Sequence, residues 1–301
     1  MFEPWILLTL TASVIQNVRS VLQKNMATQF SVSGVTFARF LFGFPLILCF
    51  LAAAHQSVGG SLPTPSALFF VYAVVGGVCQ LLGNLVFINL IGFANFTIST
   101  TYSKTETVLA ALFSFFLVND VLSTLGLGGV LLTFFGCMVI AAGRGKLTLR
   151  SLAFAITDKA ALYGLTVGAT YAVASTCYRA ASLSLGGEGF VLQAIYSLAW
   201  VSFFQCLLMG LWLSVKSPSV IRLILTHWRK GVWLGLTGAS ASACWYGAFA
   251  TQKAAYVLAL GHVELIFAYL SSRFLFKEQA NFVETAGILV TVTGILCVAL
   301  A

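Results

Sequence analysis

The sequence predicts an all-α membrane protein of ten transmembrane helices, built as two inverted five-helix repeats. Three observations carry that expectation. Hydrophobic residues make up 59% of the 301 residues and charged residues only 8%. Water-soluble chains carry about a quarter of their residues as charges, so too few are present here to cover a soluble surface. Apolar windows of about 20 residues, the length that crosses a bilayer, recur along the whole chain. Finally, a gapless shift of 158 positions lays 106–141 on 264–299 with 11 identities in 36 positions, among them Glu106 on Glu264, Gly129 on Gly287, Thr133 on Thr291 and Gly136 on Gly294.

In chain order, 1–29 lacks the basic leader and small-residue exit of a signal peptide, so the first span is placed at 4–26. Its Thr9, Ser13, Gln16, Asn17, Ser20 and Lys24 recur every three or four residues and gather on one face, which should meet protein or water. Arg19 lies near its end. The second span, 33–54, carries Arg39 near its start, where the aliphatic stem would let the guanidinium snorkel to the interface. Gly-Gly-Ser-Leu-Pro-Thr-Pro at 59–65 is turn punctuation. The third span, 67–90, sets Gln80 and Asn84 one turn apart on a shared face. The fourth, 95–118, holds Tyr102, Lys104 and Glu106. The fifth, 121–142, follows Asp120, an acid suited to a helix N-terminal dipole.

After a basic linker at 143–159, the second half offers spans at 160–183 with Arg179, 189–214, 232–253 with Ser240, Ser242, Trp245 and Tyr246, 255–276 with His262 and Glu264, and 282–300 preceded by Glu278. The glycines at 186–189 fit no phosphate-loop pattern. Apolar residues interleave with bases at 216–230, predicting a short helix at the headgroup level. Five helices per half make the copies run in opposite directions, giving repeats 1–142 and 160–301 and a substrate site near the midplane where they meet.

Chemistry concentrates in the fourth and ninth spans. An ionisable side chain at the middle of a membrane helix costs about 2.5–3.5 kcal/mol and marks a functional site by default. Glu106 and Glu264 are therefore expected to bind a proton or a cationic substrate group. Lys104 stands two residues before Glu106 as His262 stands two before Glu264, a spacing that puts each pair on different helix faces. Either acid could instead be locked to Lys104, Arg19 or Arg179 as a buried ion pair. Tyr102, Trp245 and Tyr246, aromatic with polar handles, are expected to border the cavity. Gln80, Asn84 and Asn17 are expected to line it.

Seven isolated cysteines read as core filler. No metal, cofactor or nucleic-acid site is implied by the motifs. An enzyme would need a nucleophile, base or metal cluster, and the three histidines form none; an assembly subunit would leave the midplane acids unexplained. Basic residues crowd the connections after spans 1, 5, 7 and 9 (Lys24; Arg144, Lys146, Arg150 and Lys159; Lys216, Arg222, Arg229 and Lys230; Lys277). By the positive-inside rule those connections are cytoplasmic and both termini face outward.

Length, span count and the repeat-final runs from Glu106 and Glu264, with the acids Asp120 and Glu278, paired glycines and Arg39, resemble the drug/metabolite transporter superfamily, specifically its EamA-type members. The resemblance covers the whole chain. It implies an integral, multi-pass protein of a bacterial inner membrane, with small-molecule substrate and lipid as partners, as monomer or homodimer. The implied activity is secondary-active transport, often export, of a small polar or zwitterionic metabolite, amino acid or drug by alternating access, with proton coupling through the glutamates. The second reading is an exchanger for an anionic metabolite such as a nucleotide or phosphorylated compound, gripped by Arg19, Lys104 and Arg179. Many relatives bend spans 4 and 9 at a proline, where this chain has Thr107 and Leu265 nearby. Relatives also tend to keep their termini in the cytoplasm, opposite to the charge count.

Overall fold

A computed structural model of the chain describes residues 3–27, 30–58, 61–93, 102–143, 159–186, 189–267 and 282–301. Among them every regular element is helical. These are α1 Pro4–Ala27, α2 Val32–Val58, α3 Ala67–Phe93, α4 Glu106–Val118, α5 Thr124–Gly143, α6 Lys159–Ser184, α7 Phe190–Lys216, α8 Pro218–Thr226, α9 Trp228–Thr251, α10 Ala254–Gly261 and α11 Phe282–Ala299. Four segments are long and apolar enough to cross a membrane (Val32–Val58, Ala67–Phe87, Phe190–Lys216 and Phe282–Ala299), and Glu106–Val118, Thr124–Ile140 and Ala254–Phe267 are shorter apolar helices. Large apolar side chains stand exposed along these helices, Phe116 at 69% and Val215 at 80% among them, an exterior suited to lipid and not to water. The protein is an integral, multi-pass membrane protein.

Eleven helices stand among the described residues, one more than the ten predicted spans, and the extra one, α8, lies where the sequence predicts a short headgroup-level helix. Nine residues at 1.5 Å each reach about 13 Å, less than half the hydrocarbon thickness. Pro218 opens α8, and Ile224 anchors it, 1% exposed in a core with Met26, Phe30, Leu213 and Leu234. Leu223 and Leu225 stay exposed.

The helix bounds repeat the 158-residue interval. Both ends of α7 fall 158 residues after those of α2.

The chain divides into two compact units, and each draws on both sequence halves: 1–81 with 177–252, and 82–176 with 253–301. The division falls inside α3 and inside α6. In the first unit α9 packs on α1, α2 and α7. Gly235 makes the α2 contact close, since a β-carbon there would lie 2.6 Å from the Gly43 nitrogen.

In the second unit α5 and α11 form the most extensive pairing. A β-carbon on Gly129 would lie 2.8 Å from the Gly294 carbonyl oxygen, and one on Gly294 2.8 Å from that of Gly129. Gly136 and Gly287 stand in the same reciprocal relation, at 2.9 and 3.1 Å. Contacts that run 129 to 294 and 136 to 287 make the helices antiparallel. The 158-residue shift exchanges Gly129 with Gly287 and Gly136 with Gly294, so the interface maps onto itself, as a two-fold contact must.

Two local expectations change. Asp120 does not cap α5, which starts later, at Thr124; the Ser123 hydroxyl accepts from the Gly126 N–H at 3.0 Å and is the N-cap. Asp120 is buried at 8% after α4 has closed on Asn119 in the left-handed conformation that asparagine tolerates. The expected spans at 95–118 and 255–276 are each interrupted. At the first, Thr105 N–H bonds the Tyr102 carbonyl and Thr107 N–H that of Lys104; at the second, His262 N–H bonds Ala259 and Leu265 N–H bonds His262. These bonds reach back three residues instead of four, a 3₁₀ tightening that within a helix often marks a functional hinge. The bonds 107 to 104 and 265 to 262 are repeat equivalents, and no proline is involved. Residues 94–101, 144–158 and 268–281, and with them Glu278, Lys277 and most of the basic linker, lie outside the described residues.

Candidate functional site

The predicted site residues fall into two clusters, one in each unit. In the second unit the 3₁₀ turns set Lys104 and Glu264 together: Lys104 Nζ donates to Glu264 Oε1, joining the broken α4 region to the segment after α10. Glu106 stands beside the pair, its charge and that of Glu264 both acting on Lys104. The ion pair anticipated as the structural alternative for Glu264 is thus formed, and the side chains remain 12% and 20% exposed.

His262, 1% exposed, is the repeat counterpart of Lys104 and is held from both sides. Its Nε2 lies 3.3 Å from Thr107 Oγ1 and its Nδ1 3.6 Å from Cys137 Sγ. Tyr102 is buried against Gly164, whose missing side chain leaves room for it. Asn84, in the same unit, accepts from the Tyr171 hydroxyl at 2.9 Å. A cation, two carboxylates and an imidazole at paired helix breaks can take up and hand over a proton or a cationic group. No group of three His, Cys, Asp or Glu among the described residues could hold a metal ion.

The first unit holds Asn17, Arg19, Gln80, Arg179, Trp245 and Tyr246. Gln80 Oε1 accepts from Gln205 Nε2 at 2.7 Å and from the Tyr178 hydroxyl at 3.0 Å. Tyr178 in turn stacks on Tyr246, ring centroids 4.6 Å apart. Trp245 donates to Gln16 Oε1 at 3.0 Å, while the neighbouring Asn17 is exposed and Arg19 half-buried. Arg179 is buried, and its Nη1 donates to the carbonyls of Phe249 and Gln252 at 2.9 and 2.7 Å, closing the C-terminal end of α9 as a cation there should.

Snorkelling does not describe Arg39. It is 7% exposed, lies over Phe40 and donates from Nη2 to Ser242 Oγ at 3.2 Å. Gly238 on α9 makes that possible, since a β-carbon there would lie 2.8 Å from Arg39 Cγ. Arg39 borders a small chamber of about 10 Å³ with Gln80, Ser202, Gln205, Ser242 and Tyr246. Sequence reasoning missed Gln205 altogether; its signal was a lone amide within an otherwise apolar stretch of α7.

A solved crystal structure of a protein is similar over 99% of this chain and 96% of its own, with a TM-score of 0.68 at 16% identity. At that identity the likeness speaks for the fold alone. No curated protein sequence matches. Residues 3–142 match the EamA-like transporter family. Through that match, which covers just under half of the chain, its N-terminal half is similar to the EamA-like transporters of the drug/metabolite transporter superfamily.

Proposed function

We propose that the protein is a secondary-active transporter that moves a small polar or zwitterionic metabolite, amino acid or drug by alternating access, with export as its direction and a bacterial inner membrane as its place. The observation that carries this is the Lys104–Glu264 pair with Glu106 beside it, set at repeat-equivalent helix breaks. Charge inside a spanning bundle is expensive and marks ion or substrate pathways, and interrupted helices are where transporters build their sites. Counting α1, α6 and α9 as spans and α8 as a surface helix gives ten crossings in repeats 1–142 and 160–301. The recurring helix bounds and the self-exchanging glycine contact support inversion of one repeat against the other.

In this reading Lys104 holds Glu264 in one state and is released when a proton or a substrate cation takes its place, with Glu106 as the second acid of the relay. Catalysis of a chemical reaction plays no part. The test is flux in proteoliposomes, first for a solute that raises the melting temperature of the purified protein, as a ligand of the folded state must. Glu106→Gln and Glu264→Gln are expected to fold and to show impaired or pH-insensitive flux. Folded variants with unchanged pH dependence and substrate affinity rule out the coupling role.

A further inference from the structure

The chamber around Arg39 lies outside the Lys104–Glu264 cluster, and its chemistry is different. Four helices of the first unit line it: α2 with Arg39, α3 with Gln80, α7 with Gln205, and α9 with Ser242 and Tyr246. Under the 158-residue shift Phe40 corresponds to Leu198, Ile47 to Gln205 and Gln80 to Gly238, and all six are lining residues. The chamber therefore straddles the place where the two repeats meet inside this unit, the position in which inverted-repeat transporters bind substrate.

Its polar groups have protons to give. Ser242 accepts from Arg39, which leaves the serine hydroxyl proton to donate. Gln80 Oε1 is taken by Gln205 and Tyr178, which leaves the two amide N–H donors of Gln80. The Tyr246 hydroxyl, beside Tyr178 and on a residue 4% exposed, is buried without a hydrogen bond of ordinary geometry. None of α2, α3, α7 and α9 contains an aspartate or glutamate. A buried polar group without a partner costs roughly 1–3 kcal/mol, so a convergent set of donors around one guanidinium calls for an oxyanion.

We propose that this chamber is the subsite for the carboxylate of a small substrate, with Arg39 as its anion ligand and Ser242, Tyr246 and Gln80 as neutral donors. The proposal rests on the transport reading and narrows it to substrates that carry a carboxylate. One guanidinium balances a monoanion and matches the planar carboxylate fork, whereas a phosphate dianion would bring a second charge that the lining residues do not meet. The present volume admits about one water-sized sphere, so binding opens the chamber.

The experiment is a thermal-shift and calorimetric titration of the purified full chain with glycine, alanine, acetate and succinate, each beside its amide, and with inorganic phosphate. The expected result is that at least one carboxylate binds and its amide binds at least 10-fold more weakly. Arg39→Lys should lose that discrimination. Because Arg39→Lys could unfold the unit, Tyr246→Phe and Ser242→Ala serve as variants that keep the charge; each is expected to weaken the carboxylate 3- to 10-fold and leave the amide unchanged. Equal binding of acid and amide, binding of phosphate in preference to every carboxylate, no carboxylate-dependent binding in the panel, or wild-type discrimination in folded variants overturns the assignment. A carboxylate that binds but is not carried across proteoliposomes would instead leave the subsite standing and remove the transport reading.

Discussion

Lys104 is the cation on which the charged cluster turns, and the cost of losing it differs from the cost of losing its partner. Glu264 accepts from it and Glu106 lies within reach of its charge, so removal of Lys104 leaves two carboxylates facing each other in a site of low polarity. Removal of Glu264 leaves Lys104 with Glu106 still at hand. Breaking a buried pair costs about 3–5 kcal/mol when the remaining charge is uncompensated. Lys104→Met is therefore expected to lower the melting temperature far more than Glu264→Gln, and Glu264→Gln added to Lys104→Met to restore part of the loss. Equal destabilisation by the two single variants, read by thermal unfolding in detergent, would show that Glu106 does not share the lysine. These residues stood out in the sequence because charge in an apolar run is rare and costly. Their partners did not, since Lys104 and Glu264 are 160 positions apart and helical spacing speaks only of neighbours on one helix. Arg39 was misread for a related reason: its position suggested snorkelling, and only Gly238 on a distant helix shows the space that holds it inside.

Among the elements, α5 and α11 show how a repeated pair of glycines becomes an interface. Hydrophobic driving force between helices is weak in lipid, so close packing and small residues must supply the association. Gly136 faces the Thr291 side chain, and Gly129 faces the backbone of α11, whereas Gly128, one residue away, has nothing within 4 Å of its β-position. Gly136→Ala is expected to force the helices apart and cost about 1–3 kcal/mol, the range of an overpacked core. Gly128→Ala, with open space at that position, should cost nothing and gain up to about 1 kcal/mol of helix propensity. Similar losses at both positions, measured as unfolding of the full chain, would remove the glycine contact as the reason for the pairing. The paired glycines could be read from sequence, but their reciprocal, antiparallel contact needed the fold. The same holds for the breaks at Lys104 and His262. No proline announces them; the three-residue bonds occur beside side chains that pair across the two breaks, Lys104 with Glu264 and Thr107 with His262.

At the scale of the molecule, the sequence made the all-helical membrane class legible through composition. The helix count was harder, because α8 is amphipathic and nine residues long, a pattern that periodicity finds but that only burial of Ile224 fixes in place. In the proposed reading of ten crossings, α8 lies along the surface and every other helix spans. Ten crossings put both termini on the same side, and an α8 lying in the headgroup plane puts Ser217 and His227 on one side as well. A crossing α8 would separate each pair. The charge pattern adds a direction: Lys216, Arg222, Arg229 and Lys230 are all exposed around α8, so this face should be cytoplasmic and the termini, an odd number of crossings away, should be outside. Side-specific reporters fused after residues 217, 227 and 301, with a fourth at the N-terminus, read all of this in one experiment. The expected outcome is cytoplasmic signal at 217 and 227 and external signal at both ends. Opposite signals at 217 and 227 would make α8 an eleventh crossing and break the five-plus-five count, whereas agreement at 217 and 227 with the signs of all four reversed would keep the count and overturn the orientation drawn from charge.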